Sequence, residues 1–440
     1  MPLPRGVGAA IGTLIIATSI IQLANGFFTT FVSMRVALEA FEATLAGAVL
    51  SSFFAGFTIG AVRSDRIIIR IGHIRAYAAF AGMVAAATAL MPLLVEPVAW
   101  IVLRAIVGFG CAGIFVTTES WLNAKAPTAL RGRVFAIYMV GTFLALAAGQ
   151  LLIGQVDITT AAPFNAIVTL FALGLVLVSV TRAEAPQLTP PGAPPYGDLL
   201  RAAPIAVIGV LLTGMITGTF YALVPAWMQG ANIVPERIAL IMFAAVLGGL
   251  LFQVPIGKLS DRLDRRRVLA GLGVGLAVAA VAVLFAPREV TVIVPIAVVL
   301  GGFMSTLYPV CVAHAHDRMP ADRVVAVSGA LILMSGIGSV LGPLIGTQLM
   351  AALDINGILY LIAGTGLILG AVAAVLSRVA EPAASQERTF EVLTPQAAPL
   401  AHDPGDPELA MTEPEGETGA ATEPDNDEKN PAREAGPTGA

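Results

Sequence analysis

Gly257-Lys-Leu-Ser-Asp261-Arg262-Leu-Asp-Arg265-Arg266-Arg267 is a short, strongly basic stretch, and the eighteen residues after it, Val268 to Phe285, carry no charge or polar side chain at all. As a helix such a run is long enough to cross a hydrocarbon core about 30 Å thick. A basic loop abutting an uncharged run is the signature of a membrane span anchored on its cytoplasmic side.

The same pattern recurs along the 440 residues. Hydrophobic residues make up 57% and charged residues only 12%, with a mean hydropathy of +0.84, far more apolar than a chain that folds in water. Apolar runs between charged or Pro/Gly-rich breaks predict twelve spans. Those of the first half lie near 11–33, 43–62, 74–95, 97–118, 134–155 and 162–181. Those of the second lie near 204–228, 238–257, 268–287, 290–313, 324–350 and 355–377.

Charge gives the orientation. With both termini on one side, eighteen Lys and Arg residues fall on that side, and only Arg35, Arg237 and Arg288 fall opposite. A positive-inside bias of this size places both termini in the cytoplasm of a bacterium, in a multi-pass inner-membrane protein. The formal charge of −4 hides this, because Val379 to Ala440 holds 14 of the 29 acids.

These shifts divide the chain into a first six-span bundle over 1–181, a cytoplasmic linker over 182–203, a second bundle over 204–378 and an acidic tail over 379–440. Pro186, Pro190, Pro191, Pro194 and Pro195 favour an extended connector between the bundles. The tail has no apolar period, which predicts disorder. Met1 to Gly12 lacks a small-residue cleavage pattern, so the first span reads as an uncleaved helix. Cys111 and Cys311 both lie in apolar runs and read as free, buried thiols, with no metal site.

The two halves echo each other. Gly26-Phe-Phe-Thr-Thr-Phe-Val in span one matches Gly218-Thr-Phe-Tyr-Ala-Leu-Val in span seven, and the loop after span two matches the loop after span eight. Duplicated halves commonly build a central transport site. The Gly257 to Arg267 loop closely resembles the signature loop of the major facilitator superfamily, a glycine four residues before an Asp-Arg pair with further basic residues. Its first-half copy, Ala61-Val-Arg63-Ser-Asp65-Arg66, has alanine where that family has glycine. Arg63, Arg66 and Arg70 share one helical face.

Span four carries Arg104-Ala-Ile-Val-Gly108-Phe-Gly110-Cys-Ala-Gly113, similar to the Arg-xxx-Gly-x-Gly pattern of the superfamily. Further on, Thr117-Thr-Glu119-Ser-Trp121-Leu-Asn123 and Arg131-Gly-Arg133-Val-Phe resemble a bacterial group of facilitator proteins whose substrates are generally unassigned. In span eleven, Gly338-Ser-Val-Leu-Gly342-Pro343-Leu-Ile-Gly346 offers a small-residue face for a tight crossing and a proline kink. It is similar to a Gly-Pro motif of drug antiporters, which in those proteins lies in the fifth helix.

The resemblance implies an all-α membrane protein with twelve transmembrane helices in two pseudo-symmetric six-helix bundles that rock about a midplane site. Arg104, alone among the charges inside a span, either marks a polar pathway or ties helices through carbonyls, Gln22, Asn25 or Gln150. Pathway candidates are Arg104, Gln22, Asn25, Gln150, Tyr221, Gln253 and Tyr308. Gate candidates are Asp65, Arg66, Arg70, Glu119, Arg131, Asp261 and Arg262. Glu119 stands about 22 Å along the helix from Arg104, too far to pair with it. It is read at the cytoplasmic mouth, gating through Arg66, Arg70 or Arg131, or else carrying a proton. His314 and His316 are read in a solvated loop.

The function expected is secondary transport of a small organic solute by export or exchange. An importer of a small organic anion held by Arg104 is the alternative. A membrane-embedded enzyme would need clustered nucleophiles, bases or metal ligands in the spans, which the sequence lacks. With no Gly-Lys-Ser/Thr phosphate loop, ATP-driven pumping has no support. No cofactor is expected and no nucleic acid. Partners are the solute and the lipid bilayer, and coupling to a proton or counter-ion is implied by the resemblance.

Truncation after Arg378 is expected to leave insertion and flux within a factor of about two, about 0.4 kcal/mol. Reconstituted flux of the truncated chain checks this, and loss of insertion would overturn it.

Overall fold

Thirteen α-helices, and no strand, build the described residues of the computed structural model, which are 5–180, 196–287, 289–320 and 323–378. The first half contains α1 (Arg5–Leu38), α2 (Ala43–Ile71), α3 (His73–Leu90), α4 (Pro97–Lys125), α5 (Arg131–Leu151) and α6 (Ala162–Ser179). A short α7 (Tyr196–Ala202) precedes α8 (Pro204–Gly230), α9 (Pro235–Arg262), α10 (Arg265–Phe285), α11 (Val290–Arg318), α12 (Val324–Ala352) and α13 (Gly357–Leu376). Eleven of the twelve long helices are long and apolar enough to span a membrane. The twelfth, α3, is alanine-rich and opens with His73 and Arg75.

Several boundaries differ from the sequence reading. α3 ends at Leu90 rather than near 95, because Pro92 and Pro97 break the run. The carboxylate of Glu96 then accepts from Ala99 N at 2.8 Å and caps α4, satisfying one of the orphan donors at a helix start. At the end rich in Lys and Arg, called here the basic end, α2, α4 and α11 run a turn or two beyond the apolar spans. That extension takes His314 and His316 into a helix, where both are buried, correcting their reading as loop residues. The linker is not extended throughout, since 196–202 is helical; 181–195 and 379–440 lie outside the described residues.

Backbone contact at glycine sets the packing. A side chain on Gly56 of α2 would strike the Ala105 carbonyl of α4, and one on Gly108 of α4 would strike the Phe53 carbonyl of α2. In the second half Gly248 of α9 meets the Val298 carbonyl of α11, and Gly301 of α11 meets the Ala245 carbonyl of α9. The same duplication joins α1 to α5 through Gly26 on Leu146 and Gly149 on Leu23. It joins α8 to α12 through Gly218 on Ser339 and Gly342 on Met215. Corresponding contacts fall 192 or 193 residues apart. The two bundles are therefore built on one set of helix crossings, and α12, with its Gly-Pro pair, is the counterpart of α5. Without a hydrophobic drive between helices in lipid, such small-residue seams are what packs them.

Contacts between the bundles are of another kind, and cluster away from the basic end. Ser33 Oγ of α1 donates to Ala222 O of α8 at 2.5 Å and accepts from Ala226 N at 3.2 Å. Gln348 Nε2 of α12 donates to Thr44 Oγ1 of α2 at 3.1 Å, and Ser51 Oγ donates to Val340 O at 2.8 Å. Thr58, near the middle of α2, sits against Gly336. α4 and α11, by contrast, make at most glancing contact.

Replacing Gly338, which faces the Leu211 carbonyl, with Ala is expected to force α8 and α12 apart at a cost of about 1–3 kcal/mol. Gly271→Ala, with open space around it, should be neutral or gain up to about 1 kcal/mol of helix propensity. Thermal unfolding of the two variants in detergent checks the contrast, and equal stability would remove the crossing from its place in the fold.

Candidate functional site

A central cavity of about 80 Å³ lies between the bundles, walled by the middles of α2, α8, α11 and α12 and by α1 and α5. It has room for roughly five to eight waters, at about 10–15 Å³ each. No described residue on its wall is charged.

Its two sides differ in chemistry. From the first bundle come Phe53, Phe54 and Phe57, whose i, i+1 and i+4 spacing turns three rings to one face of α2. The polar groups on this side are already spent. Thr29 Oγ1 donates to Asn25 O at 2.9 Å and Thr58 Oγ1 donates to Phe54 O at 2.7 Å. Gln150 accepts from Thr30 Oγ1 at 2.5 Å and donates to Leu146 O at 3.4 Å. The second bundle presents Thr213, Tyr221, Ser305 and Tyr308, whose buried hydroxyls have no hydrogen-bond partner among the described residues. An unsatisfied buried polar group costs about 1–3 kcal/mol, so this wall is poised to accept a partner. Sequence reading named the two tyrosines but missed Thr213, Ser305 and the phenylalanines. The Phe53-Phe-x-x-Phe57 spacing was the available signal.

Of the pathway candidates, Gln150, Tyr221 and Tyr308 line this cavity, whereas Gln22, Asn25, Arg104 and Gln253 do not. Gln22 and Asn25 bond each other inside the first bundle, Asn25 Nδ2 donating at 3.2 Å. Gln253 Nε2 donates to Ser305 O at 3.4 Å, joining α9 to α11.

Arg104 stands one layer behind the wall. Its side chain is 2% exposed, with Cζ 4.7 Å from the centre of the Phe53 ring and 5.1 Å from that of Phe28. Gly108, one turn on, brings α4 against the Phe53 carbonyl, and so the guanidinium against the Phe53 ring. Nε and Nη1 have no hydrogen-bond partner, and no described residue forms an ion pair with Arg104. Burying a cation costs several kcal/mol, while each ring returns only about 0.5–2 kcal/mol. The tie to carbonyls or to Gln22, Asn25 or Gln150 envisaged from sequence is not formed.

The gate candidates are dispersed. Arg66 and Arg70 are exposed on α2, while Asp65 and Arg131 are half-buried with Asp65 Oδ1 and Arg131 Nε unpartnered. Glu119 is completely buried rather than at a solvent mouth, and accepts from Tyr138 OH of α5 at 3.3 Å. Asp261 pairs with Arg265 at 3.3 Å while Arg262 stays exposed. Arg265 is the hub that sequence reading passed over. Buried at the start of α10, it donates from Nε to Asp317 Oδ2 at 2.7 Å and from Nη1 to Ser260 Oγ at 2.8 Å, linking α9, α10 and α11. Asp264 caps α10 through Arg266 N at 2.9 Å. Burial pushes its carboxyl up, but hydrogen bonds and charge from Arg266 prevail and hold it below the usual range. That contribution to stability is present above the ordinary carboxylate pKa and is lost as pH falls through the lowered one.

Helices of this number and pairing, around a cavity between duplicated bundles, are the architecture of a multi-pass membrane protein. The family model described as Major Facilitator Superfamily matches residues 14–234 and 206–409. An Escherichia coli protein named "Uncharacterized MFS-type transporter YcaD" is 30% identical over 355 residues, covering 79% of this chain and 91% of its own. The chain belongs to the Major Facilitator Superfamily and is a multi-pass membrane transporter of the bacterial inner membrane. Its fold is similar to that of the nucleoside transporter NupG, with a TM-score of 0.69 at 13% identity, covering 84% of this chain and 100% of that one. A bacterial homolog to the human lysosomal transporter Spinster, solved in an inward-facing and occupied conformation, aligns with a TM-score of 0.66 at 16% identity, covering 86% and 98%.

Asp317→Asn is expected to cost about 3 kcal/mol of stability by leaving Arg265 short of its closest carboxylate, and Asp261→Asn no more than about 1 kcal/mol, since that pair is partly exposed. Thermal unfolding in detergent measures the order, and the reverse order would sink the hub role of Arg265.

Proposed function

We propose that this protein is a secondary carrier that exports or exchanges a small, largely apolar organic solute by alternating access, with the midplane cavity as its binding site. The asymmetry of the cavity carries this reading. An apolar or aromatic body would lie against Phe53, Phe54 and Phe57, while hydrogen-bonding groups on its other edge would reach Thr213, Tyr221, Ser305 and Tyr308. A mostly apolar site with a few convergent polar groups is the usual form of a small-molecule pocket.

With the basic end in the cytoplasm, as the charge bias of the loops supports, the conformation reads as inward-facing. The bundles are joined on the far side through Ser33, Ser51 and Gln348, while α4 and α11 make at most glancing contact. Coupling to a proton or counter-ion belongs to the same proposal. Glu119, fully buried in α4 and hydrogen-bonded to Tyr138, would be the carboxylate that carries the proton.

Flux of a panel of small solutes into and out of proteoliposomes, with and without an imposed pH gradient, tests the reading. For whichever solute moves, Tyr308→Phe is expected to raise KM about three- to tenfold, the loss of one hydrogen bond of about 0.5–1.5 kcal/mol. Thr217→Trp, filling the cavity, should abolish flux while leaving insertion intact. Undiminished flux in both variants would move the pathway elsewhere.

A further inference from the structure

We infer that Arg104 and the Phe53 ring form a shuttered subsite for a monoanionic group, opening off the central cavity. This rests on the carrier reading of that cavity. Phe53 has two neighbours of opposite kind: the Arg104 guanidinium behind it at 4.7 Å and the cavity in front. It is therefore the layer that separates a buried charge from the solute space. Phe53 meets Phe54 edge-on at 5.4 Å and Phe57 tilted at 6.1 Å, and all three rings border the open volume.

The guanidinium is built in but unanswered. Among the described residues its Nε and Nη1 have no hydrogen-bond partner, and the cavity wall offers no carboxylate. The fold does not need a charge there. Gly301 meets Ala245 as Gly108 meets Phe53, and the residue one turn before Gly301 is Ala297. Ala297, Ala245 and Phe220 border a wholly apolar void of about 30 Å³ in the second bundle. One half thus packs the position with a methyl group, and the other spends a cation on it. A planar guanidinium presents paired donors suited to a carboxylate. With Arg104 the single cation beside the cavity among the described residues, a monoanion neutralises the site, whereas a dianion would carry a net charge into a medium of low dielectric. The anionic group is either the carboxylate of the cargo or a free halide that travels with it.

Thermal unfolding of the full-length protein in detergent, at ionic strength matched with sodium sulfate, tests this with sodium benzoate, benzamide and sodium chloride as probes. Benzoate or chloride should raise Tm saturably, and benzamide, which only the cavity itself would hold, should raise it markedly less than benzoate. Arg104→Gln should abolish the rise. Phe53→Ala, removing the shutter, should lower the half-saturating concentration about tenfold, as when a competent state populated at about a tenth becomes the whole. A chloride rise that benzoate does not extend assigns the subsite to a halide, and a benzoate rise without one for chloride assigns it to the cargo's carboxylate. The inference is overturned if neither anion shifts wild-type Tm, if benzamide matches benzoate, or if Arg104→Gln keeps the shift. Should Arg104→Gln fail to accumulate, Phe53→Ala decides alone, and an unchanged half-saturation overturns it. Flux of a neutral solute that persists in protein showing no anion binding would sink the subsite and leave the carrier reading standing.

Discussion

Direct contact between a glycine on one helix and a carbonyl on its neighbour is the constraint on which this molecule rests. In lipid, helices gain little by hiding apolar side chains from one another. Cohesion must come from close, dense contact, and closeness requires that nothing project from the seam. Gly56, Gly108, Gly248 and Gly301 meet it in one pair of crossings, and Gly26, Gly149, Gly218 and Gly342 in the other. Helices locked in this way are tied into blocks. The contacts between blocks run largely through side chains such as Ser33, Ser51 and Gln348, each worth about 0.5–1.5 kcal/mol. A structure so divided yields along its bundle interface before it yields inside a bundle.

How far the sequence was legible follows from the range of each signal. Span number and type were readable because an apolar run is a local property, and an element's existence is more secure than its ends. The ends failed where helices outlast the apolar run. Arg63 to Ile71 and His314 to Arg318 continue their helices because helical hydrogen bonding does not stop at the hydrocarbon boundary. The twofold repeat was visible in Gly26 and Gly218, yet its packing meaning was not, since which carbonyl meets which glycine depends on a partner more than a hundred residues away.

The site was legible in composition and illegible in depth. Gln22, Gln150 and Gln253 look equivalent in sequence, as polar residues within apolar spans. Helix rotation separates them: Gln150 borders the cavity, whereas Gln22 bonds Asn25 within α1 and Gln253 bonds α11. Glu119 was placed at the mouth from its distance along α4, which says how far a residue lies from a helix end but not how deeply the neighbouring helices cover it. Arg265 looked like one more arginine in a basic loop. Only the fold, by bringing Asp317 from fifty-two residues away, distinguishes it from the exposed Arg262.

Duplication supplies a frame, and what the protein does with it depends on where the copies diverge. The glycine crossings are kept in both halves, since a bulkier residue there would push a helix away from its neighbour. The side chains that face the cavity differ between the halves, although the carbonyls of Phe53, Leu146 and Ser339 on its wall belong to those same crossings. One bundle meets its own hydrogen-bonding needs and presents rings, while the other leaves hydroxyls unmet. A solute that satisfies both faces therefore has an apolar side and a polar side. It is held firmly only while both bundles are close, since loss of either face leaves rings or hydroxyls against water. In the carrier proposed above, separation of the bundles on either side would weaken the grip on the solute by the same movement that opens its way out.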